Sequence, residues 1–152
     1  MTEAIEEEMS ASGSALLPYA PSSIAVARRR LTSDLLAAGA AEPTVADAAL
    51  VVSELMTNAL RHARPLADGK LGVGWLLAGG VIELTVTDGG AATQPRQGWP
   101  SASALGGRGL AIVARLSRRW GVRTGEGSTT VWAVLGVQPR SAARSALSAK
   151  AG

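Results

Sequence analysis

Two apolar runs, residues 71–77 and 81–87, are separated only by Ala78-Gly79-Gly80, and no other feature of the chain constrains its fold so tightly. A connector this short leaves no length for a crossover, so the runs must pair as an antiparallel hairpin. The two-residue period of a strand then sorts the second run. Ile82, Leu84 and Val86 share one face, and Asp88 is the next residue on that row. A carboxylate at the end of a buried apolar row is costly unless something donates to it. Asp88 is either a strand-end turn carboxylate or the acceptor for a backbone N–H or a ligand amine.

Helical periodicity precedes the hairpin. Ile24, Val26, Ala27, Leu31, Leu35 and Leu36 recur at helical spacing, with Ser22 or Ser23 as N-cap and Gly39 as the stop after Ala38. A second helix starts near Pro43, where proline suits the first turn, and runs through His62 to a stop before Pro65. Its core stripe is Val45, Ala48, Ala49, Val52, Leu55, Met56 and Ala59, with Asp47, Glu54, Asn58 and Arg61 on another side. Glu54 and Asn58 are four apart and so point the same way. Asparagine is an indifferent helix former, and Asn58 is the only one in the chain. One reading is a polar pair on a solvated face. The other is a site in which the amide oxygen ligates Mg²⁺ while the carboxylate orients or deprotonates a nucleophile.

Residues 89–106 have neither period, which predicts a functional lid or a disordered stretch. They lead into Gly107-Arg108-Gly109 at the start of a third helix, where backbone N–H groups can approach a polyphosphate, or where the glycines simply make a tight turn. No Lys-Ser/Thr pair follows, so this is not a Walker A loop. Strands near 120–124 and 129–135, turned by Gly125-Glu126-Gly127, close the domain, and a short strand at Ala15–Leu17 opens it. The order β-α-α-β-β-lid-α-β-β implies an α+β two-layer sandwich, three helices on one face of a mixed, mostly antiparallel sheet. The expected organisation is a flexible acidic leader over 1–13, one domain over 14–137 and a flexible basic tail over 138–152. Trp75 and Trp132 are expected in the core, His62 at a solvated helix end, and Trp99 in the lid beneath a nucleotide or partner.

Composition narrows the chemistry. No cysteine and one histidine exclude a disulfide framework, a thiolate nucleophile and a multi-histidine zinc centre. No apolar run approaches the length of a bilayer span, and Glu3, Glu6, Glu7 and Glu8 give the N-terminus the wrong charge for a secretory signal. A cytoplasmic protein is the expectation. The net charge of +3 hides a basic remainder, with arginines at 28–30, at 115, 118 and 119, and at 140 and 144. That balance permits acidic partners or nucleic acid. No aromatic stacking surface accompanies the arginines, which favours the plainer source, a GC-rich genome.

The ordered set is more specific than its parts. Glu54-x3-Asn58 on a helix, Asp88-x-Gly90 after a strand, a long loop into Gly107-x-Gly109 and Thr-Thr-Val-Trp in the last strand resemble the Bergerat-fold ATP-binding domain. That superfamily includes histidine-kinase ATPase domains, gyrase, Hsp90 and MutL. The short single domain and the segments Ser53-Glu-Leu-Met-Thr-Asn-Ala-Leu-Arg-His-Ala63, Gly107-Arg-Gly-Leu-Ala-Ile-Val113 and Thr130-Val-Trp-Ala133 are similar to the anti-sigma-factor serine/threonine kinases. The resemblance covers residues 14–137. It implies that Asn58 coordinates the Mg²⁺ of Mg²⁺-ATP and that Glu54 is the general base toward an acceptor serine. It implies that Asp88 accepts from the adenine amine and that Gly90 lets the chain turn near the base. Gly107, Arg108 and Gly109 would cradle phosphates, with Thr129 (or Thr130, if the alignment slips by one) at the adenine pocket. The implied partners are a sigma factor and an anti-anti-sigma protein of the STAS type, with a homodimer common, and neither nucleic acid nor membrane. Two departures keep an ATP-binding module without phosphotransfer as the alternative. Ala104-Leu105-Gly106 stands where such kinases often carry an arginine, leaving Arg108 or Arg96 for the γ-phosphate, and Ser128 stands where glycine is usual.

Overall fold

The computed structural model describes residues 9–90 and 108–140. Trp99, Arg96, Gly107 and most of the expected lid lie outside the described residues, as do residues 1–8 and 141–152. The strands are β1 (Ala11–Pro18), β2 (Lys70–Ala78), β3 (Val81–Asp88), β4 (Arg119–Gly125) and β5 (Ser128–Gly136). The helices are α1 (Ser22–Ala37), α2 (Glu42–His62) and α3 (Arg108–Leu116). The strands form one sheet in the order β1-β2-β3-β5-β4, and every neighbouring pair is antiparallel. The three helices pack on one face, so the architecture is the expected α+β two-layer sandwich, with an antiparallel sheet rather than a mixed one.

Alternation decides which residues meet the helices. Leu71, Val73, Trp75 and Leu77 of β2 and Ile82, Leu84 and Val86 of β3 are buried against Leu31 and Leu35 of α1, Leu55 and Met56 of α2, and Leu110 and Val113 of α3. Each such side chain stabilises the fold by about 1.5–3 kcal/mol on burial. The β2–β3 hairpin closes at Ala78↔Val81 through Gly79-Gly80. Because β3 and β5 pair antiparallel, Asp88 comes to lie beside Thr129. The end of one strand and the start of another thereby share one edge of the sandwich.

Several details depart from local expectation. β1 begins at Ala11 rather than Ala15, since pairing with β2 outweighs the weak strand preference of Ala, Ser and Gly. Ser23 does not cap α1; it is buried and its hydroxyl donates to the Pro18 carbonyl at 2.6 Å. Trp132 lies on the open face, its ring over Gly121 and 5.9 Å from the Arg123 guanidinium carbon. It is not a core residue, because Ala133 rather than Trp132 falls on the helix-facing row. Arg118 and Arg119 lie beyond the end of α3. Arg118 donates its backbone N–H to the Val134 carbonyl and Arg119 opens β4, so only Arg115 of that arginine cluster lies on the helix.

Candidate functional site

Four element ends converge at one edge: the C-terminal half of α2, the end of β3, the start of α3 and the start of β5. Asp88 closes the core-facing row of β3 and is only 4% exposed. One carboxylate oxygen, Oδ1, accepts the Gly90 N–H at 2.8 Å. Burial pushes the Asp88 carboxyl above the ordinary carboxylate range, and the Gly90 N–H pulls the other way without cancelling it. Its second oxygen, Oδ2, is not engaged by Gly90.

The backbone around Asp88 is tightly specified. Gly89 donates its N–H to the Arg64 carbonyl at 2.7 Å, and Arg64 returns an N–H to the Gly90 carbonyl at 2.9 Å. A methyl on Gly89 would sit 2.1 Å from the Pro65 carbonyl oxygen, so the strand end and the segment leaving α2 approach as only glycine allows. Gly90 turns at φ +104°, again in glycine territory, with open space where a side chain would begin. Composition and periodicity gave Gly89 no role of its own; adjacency to the turn glycine was its only signal.

Thr129, buried, sits in register beside Asp88 on the core-facing side. Thr130 points to the other face, where its hydroxyl and that of Thr87 share a hydrogen bond of 2.8 Å. The pleat therefore places Thr129, not Thr130, with Asp88. Glu54 and Asn58 are both half-buried on α2. Packing of α2 on α3 brings Glu54 to the first turn of α3, where a methyl on Gly109 would lie 3.0 Å from Glu54 Oε2. Glu54 and Gly109 thus belong to one cluster, and Arg108 opens the same helix. His62, at the end of α2, is exposed.

The donor set can be tested for what it would hold. Among the described residues no group of three His, Asp or Glu side chains could cage a metal ion. A neutral amide with one nearby carboxylate suits a hard cation that arrives with phosphate oxygens, as Mg²⁺ does, rather than an ion held by protein alone. The buried Asp88 carboxyl suits a base amine, and a helix with Gly109 in its first turn suits phosphate. The residues present fit Mg²⁺-ATP. No described helix is long and apolar enough to cross a membrane.

Comparison with known proteins follows the same line. The model of the histidine kinase-like ATPase domain matches residues 17–135. A search of curated proteins returns no match. Among solved structures, that of the RsbU and RsbW domains of Rv1364c from Mycobacterium tuberculosis superposes with a TM-score of 0.65 at 22% identity, covering 85% of this chain and 33% of that one. At that identity the likeness is one of fold, and this chain spans about a third of the other's length.

Proposed function

The chain belongs to the histidine kinase-like ATPase family, and from that premise we propose that it is an ATP-binding anti-sigma regulator that phosphorylates a serine or threonine of an anti-anti-sigma partner. The observation that carries the nucleotide reading is the buried Asp88, its Oδ1 bound to the Gly90 N–H, beside Thr129, and the reading gives its Oδ2 to a base amine. The partner reading rests on the wording of the α2 and α3 segments and on the fold shared with the RsbU and RsbW domains of Rv1364c.

In this reading Asp88 and Thr129 select adenine, and Gly90 lets the base approach. Gly107, Arg108 and Gly109 meet the phosphates, and Asn58 holds the Mg²⁺. Bound Mg²⁺-ATP supplies the γ-phosphoryl group and the ADP leaving group. Glu54 takes the proton of the acceptor hydroxyl as its oxygen bonds to phosphorus. Most of the acceleration is positioning and charge neutralisation, as in phosphoryl transfer generally. Glu54→Gln is expected to bind ATP within about twofold of wild type and to transfer phosphate about 100-fold more slowly, the usual contribution of a general base. The check is a phosphotransfer assay on a STAS-type acceptor; full activity in the variant would remove Glu54 from the chemistry. The departures at Ala104-Leu105-Gly106 and Ser128 favour a second reading, a nucleotide-dependent interaction module. It predicts ATP binding with no transfer by the wild type.

A homodimer is part of the same proposal. The sheet face away from the helices carries Leu16 and Leu76, 65% and 52% exposed. Beside them a cavity of about 500 Å³ is lined by Gly72, Gly74, Thr85 and Thr87. The lining of this groove is uncharged and glycine-floored, with Leu16 at its rim and Leu76 further along the same face, which suits a second copy. Sedimentation equilibrium is expected to give a dimer that Leu16→Glu with Leu76→Glu converts to monomer. A monomeric wild type would contradict it.

A further inference from the structure

Tyr19 lies directly after β1 and outside every motif considered so far, yet its hydroxyl reaches across to the last turn of α2. Three carbonyls of that turn lie within reach of its single proton, Ala63 nearest at 2.5 Å, Ala59 at 2.8 Å and Leu60 at 3.4 Å. Its backbone N–H is held by the Gly69 carbonyl at 3.1 Å, so the phenol is anchored at its root. Burial, with the charge of Asp88 adding to it, pushes the phenol above its ordinary value, so the donor proton is retained. Gly69 directly precedes β2, whose Gly72 pairs with Thr87, so Tyr19 sits at the same edge of the sheet as the β3 end.

The neighbouring ties differ in what they hold. The Arg64 bonds fasten the segment after α2 to Gly89 and Gly90. Tyr19 instead fastens the last turn of the helix itself, between the carbonyl of Ala59, the residue next to Asn58, and that of Ala63. At the far end α2 is anchored where Thr44 Oγ1 accepts the Gln138 N–H at 3.2 Å. Core packing and the Arg64 bonds limit how far the other end can shift, and the Tyr19 hydroxyl adds the one side-chain tie among the described hydrogen bonds to the carbonyls of its last turn.

We propose that Tyr19 is a positioning residue, whose hydroxyl holds the Asn58 end of α2 in register with the Asp88 end of β3 so that one ligand is gripped at both. The inference rests on the nucleotide reading above and adds a residue to it. A ligand that touches only the Asp88 side is indifferent to that register. A ligand that spans Asp88 and Asn58 must restore it on binding.

The test is Tyr19→Phe, which keeps the ring and removes the hydroxyl, with adenosine and Mg²⁺-ATP titrated separately by calorimetry. A thermal scan without ligand confirms that the variant is folded. The expected result is Mg²⁺-ATP weakened about tenfold with adenosine affinity within about twofold of wild type. Equal weakening of both ligands, or no change in either, would overturn the proposal. A wild type that binds neither ligand would instead sink the nucleotide reading, and this one with it. Amide exchange gives a readout independent of affinity. The Ala63 N–H, which bonds to the Ala59 carbonyl, should exchange faster in the variant while the β2–β3 amides stay unchanged, and an unchanged Ala63 would count against it.

Discussion

Asp88→Asn is expected to weaken ATP binding by about 100-fold while leaving the fold no less stable at neutral pH. The loss follows from a count of acceptors. The carboxylate has two oxygens, one already bound to the Gly90 N–H. An asparagine has one oxygen, so if Gly90 keeps it, an NH₂ faces the adenine amine, donor against donor. The stability half follows from burial. Asp88 titrates above the ordinary carboxylate value of about 4, so the folded state holds its proton more tightly than the unfolded chain does. Its contribution to stability is then fully present at low pH and is lost as pH rises through the raised value. At pH 7 the charged group is a cost that asparagine lacks. The variant should melt at or above the wild-type temperature at pH 7, with any advantage shrinking toward pH 4. A variant several degrees less stable at pH 7 would show that the charged carboxylate supports the fold.

The largest expected effect on stability is at Gly89. Alanine there would place a methyl 2.1 Å from the Pro65 carbonyl oxygen, a backbone atom with no rotamer to yield. The strand end or the segment leaving α2 must move, at about 2–4 kcal/mol and with loss of the paired Arg64 bonds. Gly90 makes the contrast, because its surroundings are open and only its φ of +104° opposes a side chain. Alanine at Gly90 is therefore limited to backbone strain of about 1–3 kcal/mol. Urea denaturation of the two variants measures both costs. A Gly89→Ala protein within about 0.5 kcal/mol of wild type would contradict the close approach.

The sequence disclosed the parts of this site that obey a period. Asp88 was legible because it ends an apolar row of period two, and Glu54 and Asn58 because residues four apart share a helix face. Choosing Thr129 over Thr130 needed the strand register, which a row of good strand formers does not reveal. Tyr19, and Gly89 apart from its place beside Gly90, were invisible for a different reason. Each acts through a backbone carbonyl distant in the chain, Pro65 for one and Ala59 for the other, and a carbonyl leaves no trace in residue identity. The same limit misplaced Ser23, whose hydroxyl turned from its own helix end to the Pro18 carbonyl. Trp132 was assigned to the core by residue type, when the pleat put it on the open face.

The central claim is that this edge of the sandwich binds Mg²⁺-ATP through Asp88 and Asn58. The most direct measurement is calorimetric titration of the full chain with ATP, with and without Mg²⁺, and with GTP as control. The account predicts ATP binding strengthened by Mg²⁺, GTP excluded, and the Mg²⁺ effect abolished in Asn58→Ala. Equal binding of ATP and GTP, or a Mg²⁺ effect that survives Asn58→Ala, would contradict it.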